Sequence, residues 1–187
     1  FLPHLTLIQP NYYSDQSEIM KEVYRVRDTI STMTDAQKSM WLKKRPVEEL
    51  YSIEDDSFEI QNLASNPSYS GTLKRMRHLN TQVMLDTHDS GLAPESYMYE
   101  IAEGTTPYEI LQDSIVYPIK KILKMMDELH QQQDNEGLVL NYLNEPSPLV
   151  NYWAIIWLQY QNNLNNVIMD KLIDKLNSPY KFVSTTA

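Results

Sequence analysis

The sequence contains no cysteine and very little glycine. None of its 187 residues is Cys, which excludes disulfides, thiolate zinc sites and a cysteine nucleophile. Its 4 glycines fall well below the usual share of about 7%. Little glycine is left for the loops with which nucleotide enzymes hold phosphate groups. The sequence therefore excludes thiol chemistry and disfavours a nucleotide-binding loop.

Positive charge and long apolar runs are also scarce. The chain has 16 basic and 25 acidic residues, a net charge of -9, whereas a nucleic-acid-binding protein needs a basic face. The longest apolar run, Trp153 to Leu158, is far shorter than the roughly 20 residues of a membrane span. We therefore expect neither a nucleic-acid partner nor a membrane span. The length suits one domain or two small ones.

The chain begins at Phe1 without an initiator Met or the pattern of a signal peptide. We interpret it as cut from a longer protein.

The first half of the chain mixes two kinds of pattern. His4 to Ile8 and Glu48 to Ile53 are short segments bounded by proline or a polar cluster, which is typical of strands. Residues with helical spacing predict helices around them, one of them opened by the cap Asn66-Pro67. The apolar stripe that we expect this last helix to turn inward comprises Tyr69, Leu73, Met76, Leu79 and Val83.

After Pro94 the patterns predict helices only. Thr106-Pro107, Pro118 and Ser147-Pro148 each mark a helix start. The helix that Pro118 opens carries the apolar residues Ile119, Ile122, Leu123, Met126 and Leu129 at helical spacing. Ser178-Pro179 repeats the Ser147-Pro148 pair 31 residues later, a weak sign of helix-hairpin repeats of the HEAT kind. We predict an α+β fold that is predominantly helical, with a small antiparallel sheet remnant and packed helices in residues 1–92 and an all-α, HEAT-like extension in residues 93–187.

Side chains able to carry chemistry are few. The histidines stand singly, without the i, i+4 spacing of a metal-binding pair, so we expect no metal site in this chain. Thr87-His88-Asp89 places an imidazole beside a carboxylate at a helix end, either as a structural cap or as a catalytic pair. The acidic residues from Glu48 to Glu59 lack the glycine of a calcium loop, which favours a solvated turn. The aromatic residues between Tyr142 and Tyr160 suit either a core or a stacking surface.

One long motif resembles a known family. Arg45 to Ala64, RPVEELYSIEDDSFEIQNLA, resembles the E-L-Y-D-L-x-x-D-P-x-E-x-x-N-L-A motif in the C-terminal region of the sulfatases, within the alkaline phosphatase superfamily. Ser52, Ile53 and Ser57 depart from the motif. The positions that match it are Glu49, Leu50, Tyr51, Asp56, Glu59, Asn62, Leu63 and Ala64.

Flanking segments extend the resemblance over about residues 1–95. Phe1 to His4 resembles the end of a family strand, and Met76 to Glu95 resembles the last helix with its closing T-x-D-x-G-L-x-P-E. The subgroup most similar is the heparan N-sulfatase or sulfamidase-like branch, in which Thr87-His88-Asp89 also has a counterpart. The helical remainder is similar to the HEAT-like extension that some bacterial members carry.

The resemblance implies a sulfuric ester or N-sulfate hydrolase acting on sulfated glycans, with formylglycine and calcium in an N-terminal catalytic domain. That domain would be the partner of this chain. The C/S-x-P-x-R motif that becomes formylglycine is absent here, since the frame beginning at Ser65 has Tyr69 in place of arginine. No catalytic residue and no cofactor is therefore assigned to this chain, which we expect to be inactive alone.

Within the family interpretation, this chain completes the fold and shapes the pocket rim. His88 and Asp89 are the two residues that we place near substrate, and the resemblance implies a periplasmic or secreted protein. The alternative is an independent helical-repeat module that binds a protein partner through its aromatic helices.

Overall fold

In the computed structural model the described residues are 16–26, 31–39, 46, 48–132, 135–159, 161 and 164–187. The chain divides into two compact units, Phe1–Arg75 and Met76–Ala187. This division falls inside a helix, whereas the sequence patterns predicted a boundary after residue 92. All regular secondary structure in the described part of the chain is helical.

The helices of the first unit are α1 and α2, and a third, α3, runs from the first unit into the second. Their bounds are α1 Glu18–Val26, α2 Asp35–Ser39 and α3 Ser70–Asp86. Seven more follow in the second unit: α4 Glu95–Ile101, α5 Pro107–Ile110, α6 Ile119–Gln131, α7 Glu136–Leu143, α8 Pro148–Leu158, α9 Asn166–Lys175 and α10 Lys181–Ser184. Short 3-10 turns at Pro67–Tyr69 and Ser90–Leu92 precede α3 and α4.

The predicted sheet remnant is not found in the described residues. Glu48 to Ile53, expected to be a strand, is irregular chain that enters a turn. A strand needs a ladder of backbone hydrogen bonds to a neighbour. The bond from the Leu63 N–H to the Leu50 carbonyl at 2.7 Å is not continued as a ladder in the described residues. The other predicted strand, His4 to Ile8, lies outside the described residues. The α+β prediction was thus wrong in its sheet and right in its helices.

Several predicted helix starts are confirmed by their capping hydrogen bonds. Thr106 and Glu109 form a reciprocal capping box, in which each backbone N–H donates to the other side chain at 3.2 Å. Ser147 accepts from the Val150 N–H at 3.5 Å. Asn66 accepts from the Ser68 N–H at 3.0 Å, although the turn that it caps is a 3-10 turn before α3. Such caps satisfy N–H groups that a helix start leaves unpaired.

The core of the second unit lies around α8. This helix packs against α6, α7 and α10, while α7 also contacts α9 and α4 contacts α5 and α10. The rings of Tyr97 and Phe182 lie 5.1 Å apart and join α4 to α10. The stripe predicted for α6 is buried except at Leu123, which is half-buried. Its buried members are Ile119, Ile122, Met126 and Leu129.

Asn151 is the buried polar side chain of this core. Its amide donates to the carbonyls of Tyr142 and Glu145 at 3.0 Å each. Its oxygen accepts from the Lys175 ammonium at 2.7 Å, so one side chain links the end of α7, α8 and α9. Burial lowers the pKa of Lys175. A buried amide with all three bonds made is the arrangement that avoids the cost of unpaired polar groups.

Helix α3 differs from the prediction. The inward stripe expected on it is largely in solvent, with Met76, Leu79 and Val83 exposed by 48%, 48% and 58%. Met84 is the buried residue of this helix. Helical spacing identifies an apolar stripe but not what covers it, and nothing in the described part of the chain covers this one.

Candidate functional site

The turn that follows α3 carries the two predicted site residues. His88 has a positive φ of 48°, a conformation that is uncommon for a residue with a side chain. Asp89 acts as a cap, because its carboxylate accepts from the Gly91 N–H at 2.7 Å. Asp89 therefore acts as the structural cap that the sequence offered as one of its two possible roles. Contact of either residue with substrate stays a prediction.

Two aromatic side chains hold this turn in place. The Tyr117 hydroxyl donates to the Asp89 carbonyl and accepts from the Leu92 N–H at 3.3 Å. The Trp153 indole N–H donates to the Leu92 carbonyl at 2.8 Å. Burial raises the pKa of Tyr117 to about 12, so its hydroxyl keeps its proton at neutral pH. Sequence reasoning missed both contacts, since the partners lie far apart in the chain and share no motif.

A groove of about 730 Å³ lies beside the turn, between it and the helices α6 and α7. His88 lines this groove, whereas Asp89 does not. The apolar lining residues are Leu85, Pro118, Ile119 and Leu138, and the charged ones are Lys120, Lys121, Lys124, Glu128 and Glu145. We call it the His88 groove. Its volume lies within the range of about 300–1,000 Å³ that is usual for small-molecule sites.

The charges of the His88 groove are partly paired. The Lys121 ammonium lies 2.8 Å from Glu145, and the Lys124 ammonium lies 3.3 Å from Glu128. The Tyr142 hydroxyl also donates to Glu128, and this bond, with the smaller effect of Lys124, lowers the pKa of the Glu128 carboxyl. Lys120 forms no ion pair with any described residue. The groove therefore has more ammonium than carboxylate groups.

The motif segment forms a loop closed by Asn62. Its amide N–H donates to the Glu48 carbonyl, and its oxygen accepts from the N–H groups of Leu50 and Ala64, all at 3.0 Å. The Asp56 carboxylate accepts from the Gln61 N–H at 2.6 Å. These bonds lie within the first unit. Where strand pairing was expected, the loop is held by the side chains of Asn62 and Asp56.

The remaining candidates do not come together. His78 is exposed on α3 and His130 is half-buried on α6, while His4 lies outside the described residues. Among the described residues no three His, Asp or Glu side chains gather as a metal site. None of the helices within the described ranges is long and apolar enough to cross a bilayer. The aromatic side chains of Tyr142 and Trp153 are buried, whereas Tyr160 is outside the described residues.

Comparison with known proteins was equally sparse. No protein-family model, curated protein or solved structure matched the chain. The family resemblance stays a prediction that depends on the motif residues.

Proposed function

We propose that this chain is the C-terminal part of a sulfatase-like hydrolase, in which it completes the fold and forms the rim of the pocket. The whole enzyme would cleave sulfate esters or N-sulfates of sulfated glycans, as in the sulfamidase-like branch. The observation that carries the proposal is the motif from Glu49 to Ala64. The HEAT-like character of the helical part belongs to the same proposal.

The geometry of the motif loop supports this assignment. Asp56 and Asn62, two polar positions that match the family motif, are the residues whose side chains bond the loop backbone. Buried or partly buried backbone groups need such partners. A motif whose shared residues close a loop is a sign of shared local structure rather than of shared composition.

The exposed stripe of α3 supports a missing partner. Met76, Leu79 and Val83 recur at helical spacing and are about half exposed. An apolar stripe in solvent is typical of a surface that another protein part covers. We propose the N-terminal catalytic domain as that part, which would also be the source of the strands needed to complete a small sheet.

The chemistry would belong to that catalytic domain. There a hydrated formylglycine would attack sulfur and calcium would stabilise the developing charge. The residues described here supply neither group, so the role of this chain is to support the pocket. The family resemblance implies a periplasmic or secreted location. The absence of cysteine is compatible with that location but does not establish it.

The coding sequence upstream of Phe1 tests the proposal directly. We expect an α/β domain with a C/S-x-P-x-R motif in the same reading frame. The natural full-length protein should release sulfate from an aryl sulfate or from N-sulfoglucosamine, and the 187-residue chain should not. An upstream sequence without that motif would refute the proposal, and so would aryl sulfate hydrolysis by this chain alone.

The alternative, an independent helical interaction module, has one observation in its favour. Met169 and Ile173 on α9 and Leu176, which caps the end of that helix, follow one another at helical spacing and are 43%, 56% and 53% exposed. Some of the aromatic residues that suggested a partner surface, Trp153 among them, are instead buried in the core. The upstream sequence separates the two functions, because an interaction module requires no catalytic domain.

A further inference from the structure

We propose that the His88 groove binds a sugar-sized ligand through a tetrahedral oxyanion, a sulfate or a phosphate group. The choice of sulfate between these two rests on the proposed function. The oxyanion site itself does not, because every residue that lines it belongs to the second unit.

The lining of the groove suits a sugar ring. Leu85, Ile119 and Leu138 line the groove with apolar side chains, while Ser114 and Asn141 line it with polar ones. A sugar ring has one face of C–H groups and hydroxyls around its edge. A mixed lining of this kind, in a cavity of about 730 Å³, can bury the ring face and still pair the hydroxyls.

The three lysines of α6 supply the attraction for the oxyanion. Lys120 and Lys121 stand in the first turn of the helix, where the helix dipole disfavours positive side chains and favours negative charge. Their position is electrostatically costly in the free chain and becomes favourable once an anion binds. The chain as a whole has a net charge of -9, so this concentration of ammonium groups is local to the groove.

The start of α6 adds one backbone donor, the Lys120 N–H. Pro118 precedes the helix and gives no side-chain cap, and no hydrogen bond to the Lys120 N–H is found among the described residues. Unpaired N–H groups at a helix start bind sulfate and phosphate groups. Lys120, Lys121 and Lys124 all line the groove, so this N–H and the three ammonium groups lie along the first two turns of one helix beside it.

Two glutamates pair with two of these lysines, but they do not neutralise the positive charge of the three. Glu145 pairs with Lys121 and Glu128 with Lys124, but both lysines remain substantially exposed, by 46% and 69% of their side chains. Exposed ion pairs are weak, so an oxyanion can share or displace them. Lys120 has no ion pair with a described residue, so an oxyanion can bind it without displacing a glutamate.

His88 completes the groove from the opposite element. Its positive φ of 48° is a strained conformation, and such strain concentrates at functional sites. The turn that holds it is fixed by Tyr117 and Trp153. The imidazole is therefore kept at the groove by contacts outside it.

Titration of the full chain tests the proposal. Glucosamine 6-sulfate, glucosamine 6-phosphate and uncharged glucosamine would be added at low salt, with binding followed by calorimetry and by amide chemical shifts. We expect saturable binding of at least one charged sugar, amide shifts at residues 119–124 and 88, and at least tenfold weaker binding of glucosamine. Binding should weaken at least tenfold in the Lys120→Ala/Lys124→Ala variant and in Lys120→Glu.

Lys181→Ala is the matched control, because Lys181 is exposed on α10 and does not line the groove. Circular dichroism should show that all variants stay folded. Absence of saturable binding, or equal weakening in Lys181→Ala, would overturn the inference.

The two sugars separate this inference from the proposed function. Binding of the phosphate sugar alone would uphold the oxyanion site and reject a sulfated ligand for it. An upstream sulfatase motif together with an inert groove would reject the groove and leave the proposed function standing.

Discussion

The two units are stabilised in different ways. In the described part of the first unit no side chain is buried, and the motif loop depends on hydrogen bonds of Asn62 and Asp56. In the second unit every helix except α5 contributes buried apolar side chains, and the core lies around α8. Apolar burial is the main source of folding free energy. We expect the second unit to fold by itself, whereas the described part of the first unit is held together mainly by hydrogen bonds.

The most severe test of this contrast is Trp153→Ala. The change removes the large side chain that is 4% exposed and its hydrogen bond to the Leu92 carbonyl. We expect the free energy of unfolding to fall by about 3–5 kcal/mol, measured by urea denaturation. Trp153→Phe should lose less because it keeps an aromatic ring. A loss below about 1 kcal/mol for the alanine variant would contradict the core described here.

The next effect is expected at Asn151. Replacement by Leu removes the partner of the Glu145 carbonyl and of the Lys175 ammonium, while the Tyr142 carbonyl keeps its bond from the Glu145 N–H. Unpaired buried polar groups cost about 1–3 kcal/mol each, so we expect a loss of about 3 kcal/mol. Asn177→Leu, at an exposed position, is the control and should change stability by less than about 0.5 kcal/mol. Equal losses for both variants would contradict the role of Asn151.

Asn62→Ala tests the first unit separately. Loss of three hydrogen bonds should open the motif loop at a cost of about 1–2 kcal/mol. The urea midpoint of the second unit should stay unchanged, because that unit has its own core. Amide exchange should become faster at Leu50 and Leu63, and protease cleavage faster between residues 51 and 61. A shifted midpoint for the second unit would show that the two units unfold together.

The smallest effect concerns pH and Glu128. Its pKa is lowered in the folded chain by the Tyr142 hydroxyl and then by Lys124. Its contribution is therefore present above the ordinary glutamate pKa of about 4.3 and is lost as pH falls through the lowered value. Glu128→Gln should cost less than about 1 kcal/mol at pH 7, and its cost should shrink as pH falls, measured by urea denaturation at a series of pH values below 7. A cost that grows as pH falls would reverse the sign and contradict the pairing.

Local signals predicted local structure well. The caps at Thr106 and Ser147 and the stripe of α6 are found where the sequence placed them, because a cap depends on residues within one turn and a stripe on helical period. The strand at Glu48 to Ile53 was mispredicted. Strand-like composition fits any extended segment, and whether it pairs depends on a neighbour that the segment does not specify.

The candidate site was only partly predictable for a similar reason. Thr87-His88-Asp89 could be noticed as a motif, but the lysines of α6 come to lie beside His88 only through tertiary packing. The stripe of α3 was predicted correctly as apolar and wrongly as buried. Burial depends on what packs against a face, and that information lies outside the helix.

The closure of the motif loop by Asn62 has a practical consequence. The Asn62 side chain joins the two ends of the loop, the Asp56 carboxylate accepts from the Gln61 N–H across its tip, and Phe58 at that tip is 84% exposed. Lengthening a flexible loop costs only about 0.6 kcal/mol for each doubling. A short peptide tag inserted between Ser57 and Phe58 should therefore be accepted. A fluorophore attached to that tag would report on the first unit and could be used to follow docking of a catalytic domain.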